Sequence, residues 1–340
     1  MVSNQCVFLF SLDISWEEGI PLRGIRQQFE ENKEIGAVVS SLEEGLKEQL
    51  VTGISGSARS VLMALLNEDK KYPLLVVTHN LYQAQKVYED LLHLLPEKDV
   101  FLYPVNDLVA TEVGIASPEL KAQRIEVLNY WSQHTGGVVV TPLAGIRKLL
   151  PPKARWEQTQ LPFQMGIDID VDHYLKRLVE LGYERASMVS APGEFSVRGG
   201  IIDIYPLTEE LPVRIELFDT EIDSIRTFTI EDQRSQEQLK EISIGPATEI
   251  IVNRNEVAQG IEELEAQLAS TLQQVKNAAL KATLTENIKG EIEQLRQGQL
   301  LENMFKYLSF FYESPASLLD YLPEGGLVIF DETTRIQETS

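Results

Sequence analysis

Thr52-Gly53-Ile54-Ser55-Gly56-Ser57-Ala58-Arg59-Ser60 decides how this chain is read. A phosphate-binding loop runs Gly-x-x-x-x-Gly-Lys-Ser/Thr. Its backbone N–H groups turn onto the phosphates, its lysine reaches the β and γ groups, and its last hydroxyl holds magnesium. Gly53 and Ser60 stand at the first and last of these places, with Gly56 between them. Ala58 replaces the second required glycine and Arg59 the lysine. A Cβ at 58 crowds a position that needs a left-handed backbone or close phosphate approach. The arginine fork is no substitute for a compact ammonium. The loop keeps the outline of a nucleotide site without its chemistry, although alone it also fits an ordinary strand-turn-helix of small residues.

Residues 41–150 around this loop alternate helices with short apolar runs. Leu74–Thr78, Val100–Tyr103 and Val138–Thr141 read as buried strands, and 81–95 as a helix after the first of them. Apolar strands separated by helices imply a parallel sheet covered on both faces. Ligands of such sheets bind at the carboxyl ends of the strands. Leu327-Val328-Ile329-Phe330-Asp331-Glu332 is a further apolar strand ending in two carboxylates. In a motor ATPase, Asp331 and Glu332 would coordinate magnesium and activate water; without the upstream lysine they equally suit a solvated acidic strand end. Between these parts lies a helix at about 171–181. Gly193–Gly200, Ile201–Pro206, Val213–Phe218 and Ile222–Phe228 then alternate apolar with polar residues, as half-buried antiparallel strands do. From Val257 on, Ile261, Leu264, Leu268, Leu272, Val275 and Ala279 draw one helical stripe. It suits long helices docked on the first domain, or a coiled-coil dimer.

The fold class expected is α/β: a parallel-sheet domain of helicase type with a degenerate P-loop, carrying an inserted small α+β domain. The divisions expected are an irregular leader at 1–24, a first half of the α/β domain at 25–152, the insert at 153–240, and the second half with long helices at 241–340.

Composition narrows the function classes. Thirty Lys and Arg against 52 Asp and Glu give a net charge of -22, which opposes nonspecific binding of nucleic acid by the chain as a whole. One cysteine, Cys6, allows no internal disulfide and fits a reducing cytoplasm. The four histidines are scattered without zinc spacing, so no metal site is expected. The apolar run at 6–12 is too short for a bilayer and lacks a basic flank, so neither membrane association nor secretion is expected.

In combination these motifs resemble the bacterial transcription-repair coupling factors, in the module that is similar to the excision-repair helicase UvrB. The damaged loop stands where UvrB has a working one, and Val76–Leu81 resembles the helicase strand and turn that follow. Gly182–Arg185 with Pro192–Pro206 resembles the insert common to both families, and Ser314–Tyr321 with Phe330–Glu332 the closing half of the first domain. The likeness runs from about residue 25 to the end, and each motif alone is weak. It implies a catalytically silent copy with no cofactor of its own. It also implies an insert that docks UvrA, with Arg185 and Arg198 matching arginines at that contact. Phe195, Ile202 and Tyr205 are candidates for apolar interface area there, though each also fits a core. UvrB tends to carry a further arginine where this chain has Ser196, a departure that bears on affinity. Between Tyr103 and Gln123 the chain is shorter than UvrB, and Tyr103 is the sole aromatic where UvrB has an aromatic-rich hairpin that clamps DNA.

In full-length members of that family the module is joined to an RNA-polymerase-binding domain and an ATP-driven DNA translocase. Polymerase, DNA, ATP and magnesium are expected only there, and Thr339-Ser340 reads as a boundary inside a longer protein. Two competing classes remain open: an active nucleotide hydrolase with an atypical loop, and a direct DNA-binding module.

Overall fold

The computed structural model describes residues 32–68, 71–105, 117–298, 301 and 304–339. The expected leader at 1–24 lies outside the described residues. In chain order the strands are β1 (Leu74–Thr78), β2 (Val100–Leu102), β3 (Val138–Pro142), β4 (Leu161–Gln164), β5 (Glu184–Arg185) and β6 (Glu194–Arg198). They continue with β7 (Ile201–Ile204), β8 (Val213–Phe218), β9 (Glu221–Phe228), β10 (Ser235–Leu239), β11 (Glu241–Ile244) and β12 (Leu327–Phe330).

A four-stranded parallel sheet has the order β12-β1-β3-β2. Its strands are continuous apolar runs because both faces are covered. Leu75, Val77, Phe101 and Val139 pack with the helix Pro118–Gln133 on one side, through Ile125, Leu128 and Trp131. Leu74, Val76, Val100, Val138 and Val140 pack with the helices Ser57–Glu68 and Leu81–Leu92 on the other. β12 arrives from the far end of the chain to lie beside β1, with Leu327 level with Leu74.

The residues between build a second unit of a different kind. Six strands run in the order β10-β9-β8-β7-β6-β5, antiparallel except for the β5–β6 pair. One face packs under the helix Val171–Glu180 through Leu178, Tyr174 and Leu175. β4 and β11 pair beside it, and Ile244 and Ala247 belong to the same core. The expected division at 240 therefore falls immediately before a strand that pairs back to β4.

The long apolar stripe is broken. It forms two helices, Arg254–Gln274 and Ala278–Arg296, because the Asn277 side chain caps the second by accepting from the N–H groups of Ala279 and Leu280. The helices close on the segment 304–311 and make their own core from Ile261, Leu264, Ile292, Leu295, Met304 and Phe311. Among the described residues no helix is long and apolar enough to cross a membrane.

One buried ionic knot ties the second unit to the parallel sheet. Glu249, 8% exposed, takes Lys148 Nζ on both oxygens at 2.8 Å, Arg124 Nε at 2.9 Å and the Tyr103 hydroxyl at 3.2 Å. Burial alone would raise its pKa; Lys148 and Arg124 override this and hold it at about 2. The unfolded value of a glutamate is about 4.3. This group therefore stabilises the fold fully above that value, and the contribution fades as pH falls from there toward 2. At 1.36 kcal/mol per pH unit, it amounts to about 3 kcal/mol at neutral pH. Glu249→Gln is expected to flatten the acid limb of a urea-midpoint-against-pH curve between about pH 4.5 and 2 and to lower stability at pH 7 by about 3 kcal/mol. An unchanged acid limb would refute the assignment.

Candidate functional site

The Thr52–Ser60 loop lies at the carboxyl end of the parallel sheet, and its one charged side chain, Arg59, is already paired. Gly53 and Gly56 take positive φ, 84° and 57°, turning the chain into the helix that starts at Ser57. Arg59 does not face an open cradle. Its Nη1 lies 2.6 Å from Asp331 Oδ1 and 3.4 Å from Glu332 Oε1. Asp331 is placed there by β12, and its N–H donates to Val77 O at 2.8 Å. The expected solvated strand end is thus replaced by an ion pair, with Asp331 only 4% exposed.

Burial raises the Asp331 pKa above the ordinary carboxylate value, with Arg59 opposing and Glu332 adding to the shift. Ser60, the would-be magnesium hydroxyl, is buried and donates to Asp90 Oδ2 at 3.2 Å. A phosphate entering this loop meets two carboxylates and a cation already engaged by them. Tyr103 is fully buried against Glu249 and offers no ring for stacking a base.

The antiparallel sheet presents a different charge pattern. On β6 and β7 the alternation sends Phe195, Ile202 and Ile204 into the core. Phe195 and Ile202 are each 1% exposed, so they are corrected from interface candidates to core residues that set the pleat. Tyr205 is half-buried and donates its hydroxyl to Glu210 O at 2.9 Å. Arg185 is exposed on the edge strand β5 and makes no ion pair among the described residues. Arg198 is 47% exposed and donates from Nη2 to Asp203 Oδ2 at 2.8 Å. Neither arginine pairs with Glu184 or Glu194. The Glu194 carboxylate instead accepts from the N–H groups of Ser190 and Ala191, which hold its pKa below the ordinary value.

Arg185 is level with Phe195, and Arg198 lies three residues further along β6. Successive side chains alternate sides of a sheet, so the two arginines occupy opposite sides and a partner touching both must wrap the β5 edge.

Sequence reasoning missed three residues here. Asp203, 1% exposed, sits inside the apolar run Ile201–Ile204, where a lone acid at a pleated position was the available signal. Arg214 of β8 lies level with it and grips it with Nε at 2.6 Å and Nη2 at 2.9 Å. Phe218 stands 79% exposed at the β8–β9 hairpin, where Asp219 takes φ 59°. The neighbouring Leu217 N–H donates to Gly200 O at 2.7 Å, which fixes this hairpin against the β6–β7 turn beside Arg198. A Cβ on Gly200 would sit 2.8 Å from Leu217 O, so only glycine permits that approach.

The antiparallel sheet thus carries Arg198 beside its β6–β7 turn, and the loop at 53–60 is closed by the ion pair of Arg59 with Asp331. Residues 161–250 match the UvrB interaction domain family. The chain is similar to the transcription-repair-coupling factor of Bacillus subtilis (strain 168), 52% identical over 314 residues that cover 92% of this chain and 27% of that protein. It is also similar to the transcription-repair-coupling factors of Staphylococcus aureus (strain MRSA252), 39% identical over 87% of this chain, and of Staphylococcus haemolyticus (strain JCSC1435), 37% identical over 85%. The chain spans about a quarter of the length of these curated relatives, 25% in both staphylococcal cases.

The ion pair at the loop makes a stability prediction. Arg59→Ala leaves Asp331 buried beside Glu332 without its cation, a change expected to lower stability by about 3 kcal/mol in urea unfolding. Adding Asp331→Asn removes the orphaned charge and is expected to restore about half of that loss. A double variant as unstable as the sum of the two singles would show the pair to be inconsequential.

Proposed function

We propose that this chain is the N-terminal recruitment module of a transcription-repair coupling factor, which docks UvrA and brings it to stalled RNA polymerase. Its α+β part, inserted between β1 and β12, is the docking element; the parallel-sheet part is a catalytically silent relic of a nucleotide-binding domain, with no ATP turnover of its own. Polymerase binding, DNA translocation, ATP and magnesium belong to other parts of the whole protein, which works in the cytoplasm.

The observation that carries this reading is the contrast between two arginines. Arg59 spends its charge on Asp331 and Glu332. Arg198 stands half in solvent on a sheet that falls within the UvrB interaction domain. An exposed arginine fork suits bidentate capture of a carboxylate on a protein partner and is a common interface hot spot. The net charge of -22 and the buried Tyr103 weigh against direct DNA binding.

The test is retention of the chain by purified immobilised UvrA. Arg185→Ala/Arg198→Ala is expected to weaken retention by about tenfold or more while leaving the melting temperature of the chain unchanged. Equal retention of wild type and double variant would overturn the docking surface.

A further inference from the structure

We propose that Asp203 is a positioning residue that turns Arg198 into a preformed receptor for a carboxylate of the docking partner; this rests on the docking function proposed above. Asp203, Arg214 and Arg198 meet on the side of the sheet away from its core, next to Glu216 and Arg226, which neutralise each other as an ion pair. Asp203 is 1% exposed and Arg214 12%, whereas Arg198 is 47% exposed. The two arginines and one aspartate leave the cluster with one surplus positive charge.

The structure also determines where that surplus resides. Arg214 already supplies both oxygens of Asp203 with a hydrogen bond, at 2.6 and 2.9 Å. It is itself held by Gln233 Oε1 at 2.8 Å and by the Phe228 ring, whose centroid lies 4.4 Å from its Cζ. Asp203 is therefore compensated without Arg198. Arg198 contributes one further bond, from Nη2 at 2.8 Å, and the rest of its fork has no partner among the described residues. One corner of a planar guanidinium is tethered while its other donors stay available.

This arrangement favours docking for two reasons. A free arginine loses much rotamer freedom when it binds, and the tether to Asp203 removes that freedom in advance. Buried Asp203 also sets the orientation of the guanidinium plane, on which bidentate recognition of a carboxylate depends. Ser196 lies directly level with Asp203, and its buried hydroxyl makes no hydrogen bond among the described residues, leaving Asp203 to the arginines. The chemistry selected is an acidic side chain on a protein surface, met by a cation fixed in direction.

The experiment is calorimetric titration of purified UvrA with the 340-residue chain and its Asp203→Asn, Arg198→Ala, Arg198→Lys and Arg198→Ala/Asp203→Asn variants. Asp203→Asn, Arg198→Ala and Arg198→Lys are each expected to weaken binding about tenfold, and the double variant by no more than about twofold beyond Arg198→Ala. Asp203→Asn binding like wild type, or weakening the Arg198→Ala background by the same factor as wild type, would overturn the positioning role. If Asp203→Asn does not fold, Arg198→Lys decides: full affinity with lysine would show that charge alone matters and would overturn it. Undiminished binding by Arg198→Ala would instead overturn the docking reading itself.

Discussion

A carboxylate taken out of water has to be matched by a cation, and the placement of three groups of charges among the described residues follows from that constraint. Three buried acids show it. Glu249 is matched by Lys148 and Arg124, Asp331 by Arg59, and Asp203 by Arg214 with Arg198 added. The first knot holds the two units together, the second closes the loop at 53–60, and the third leaves a half-exposed cation. The same elementary requirement thus yields a joint between units, a closed loop and the receptor proposed above, according to how far the cations around each acid reach into solvent.

The second of these accounts for the shape of the loop at 53–60. A working phosphate loop needs its cation for the ligand. Here Arg59 turns inward to the acids at the end of β12, and that pair ties the helix Ser57–Glu68 to a strand about 270 residues later (the hydrogen bond spans 272). The pair is a cross-brace between the two. Glycines at 53 and 56 still make the turn because the chain geometry demands it whether or not a phosphate is present.

Much of this architecture was legible in the residues. The strands β1 and β3 were readable because burial on both faces removes the alternation that would mark a surface sheet, and β6 to β9 because one-sided burial restores it. The break at Asn277 was hidden, since Val275 and Ala279 stay in phase with the stripe on either side of it. The charge partners were least legible. Glu249 finds Lys148 and Arg124 across 101 and 125 residues, and sequence spacing carries no trace of such pairings. Arg198 was found through the family pattern and Arg59 through its motif, but the acids that decide what each arginine does lay elsewhere. Phe195 and Ile202 show the opposite error: aromatic and apolar residues near a recognised motif are drawn to the core by the pleat before any partner can use them.

In the function proposed above, partner contact falls on the antiparallel sheet while the loop at 53–60 stays idle. Amide hydrogen exchange of the chain, free and saturated with UvrA, tests both halves together. The account predicts slowed exchange at residues 184–204 on binding and no change at residues 53–60. Protection at 53–60 with 184–204 unchanged would contradict it.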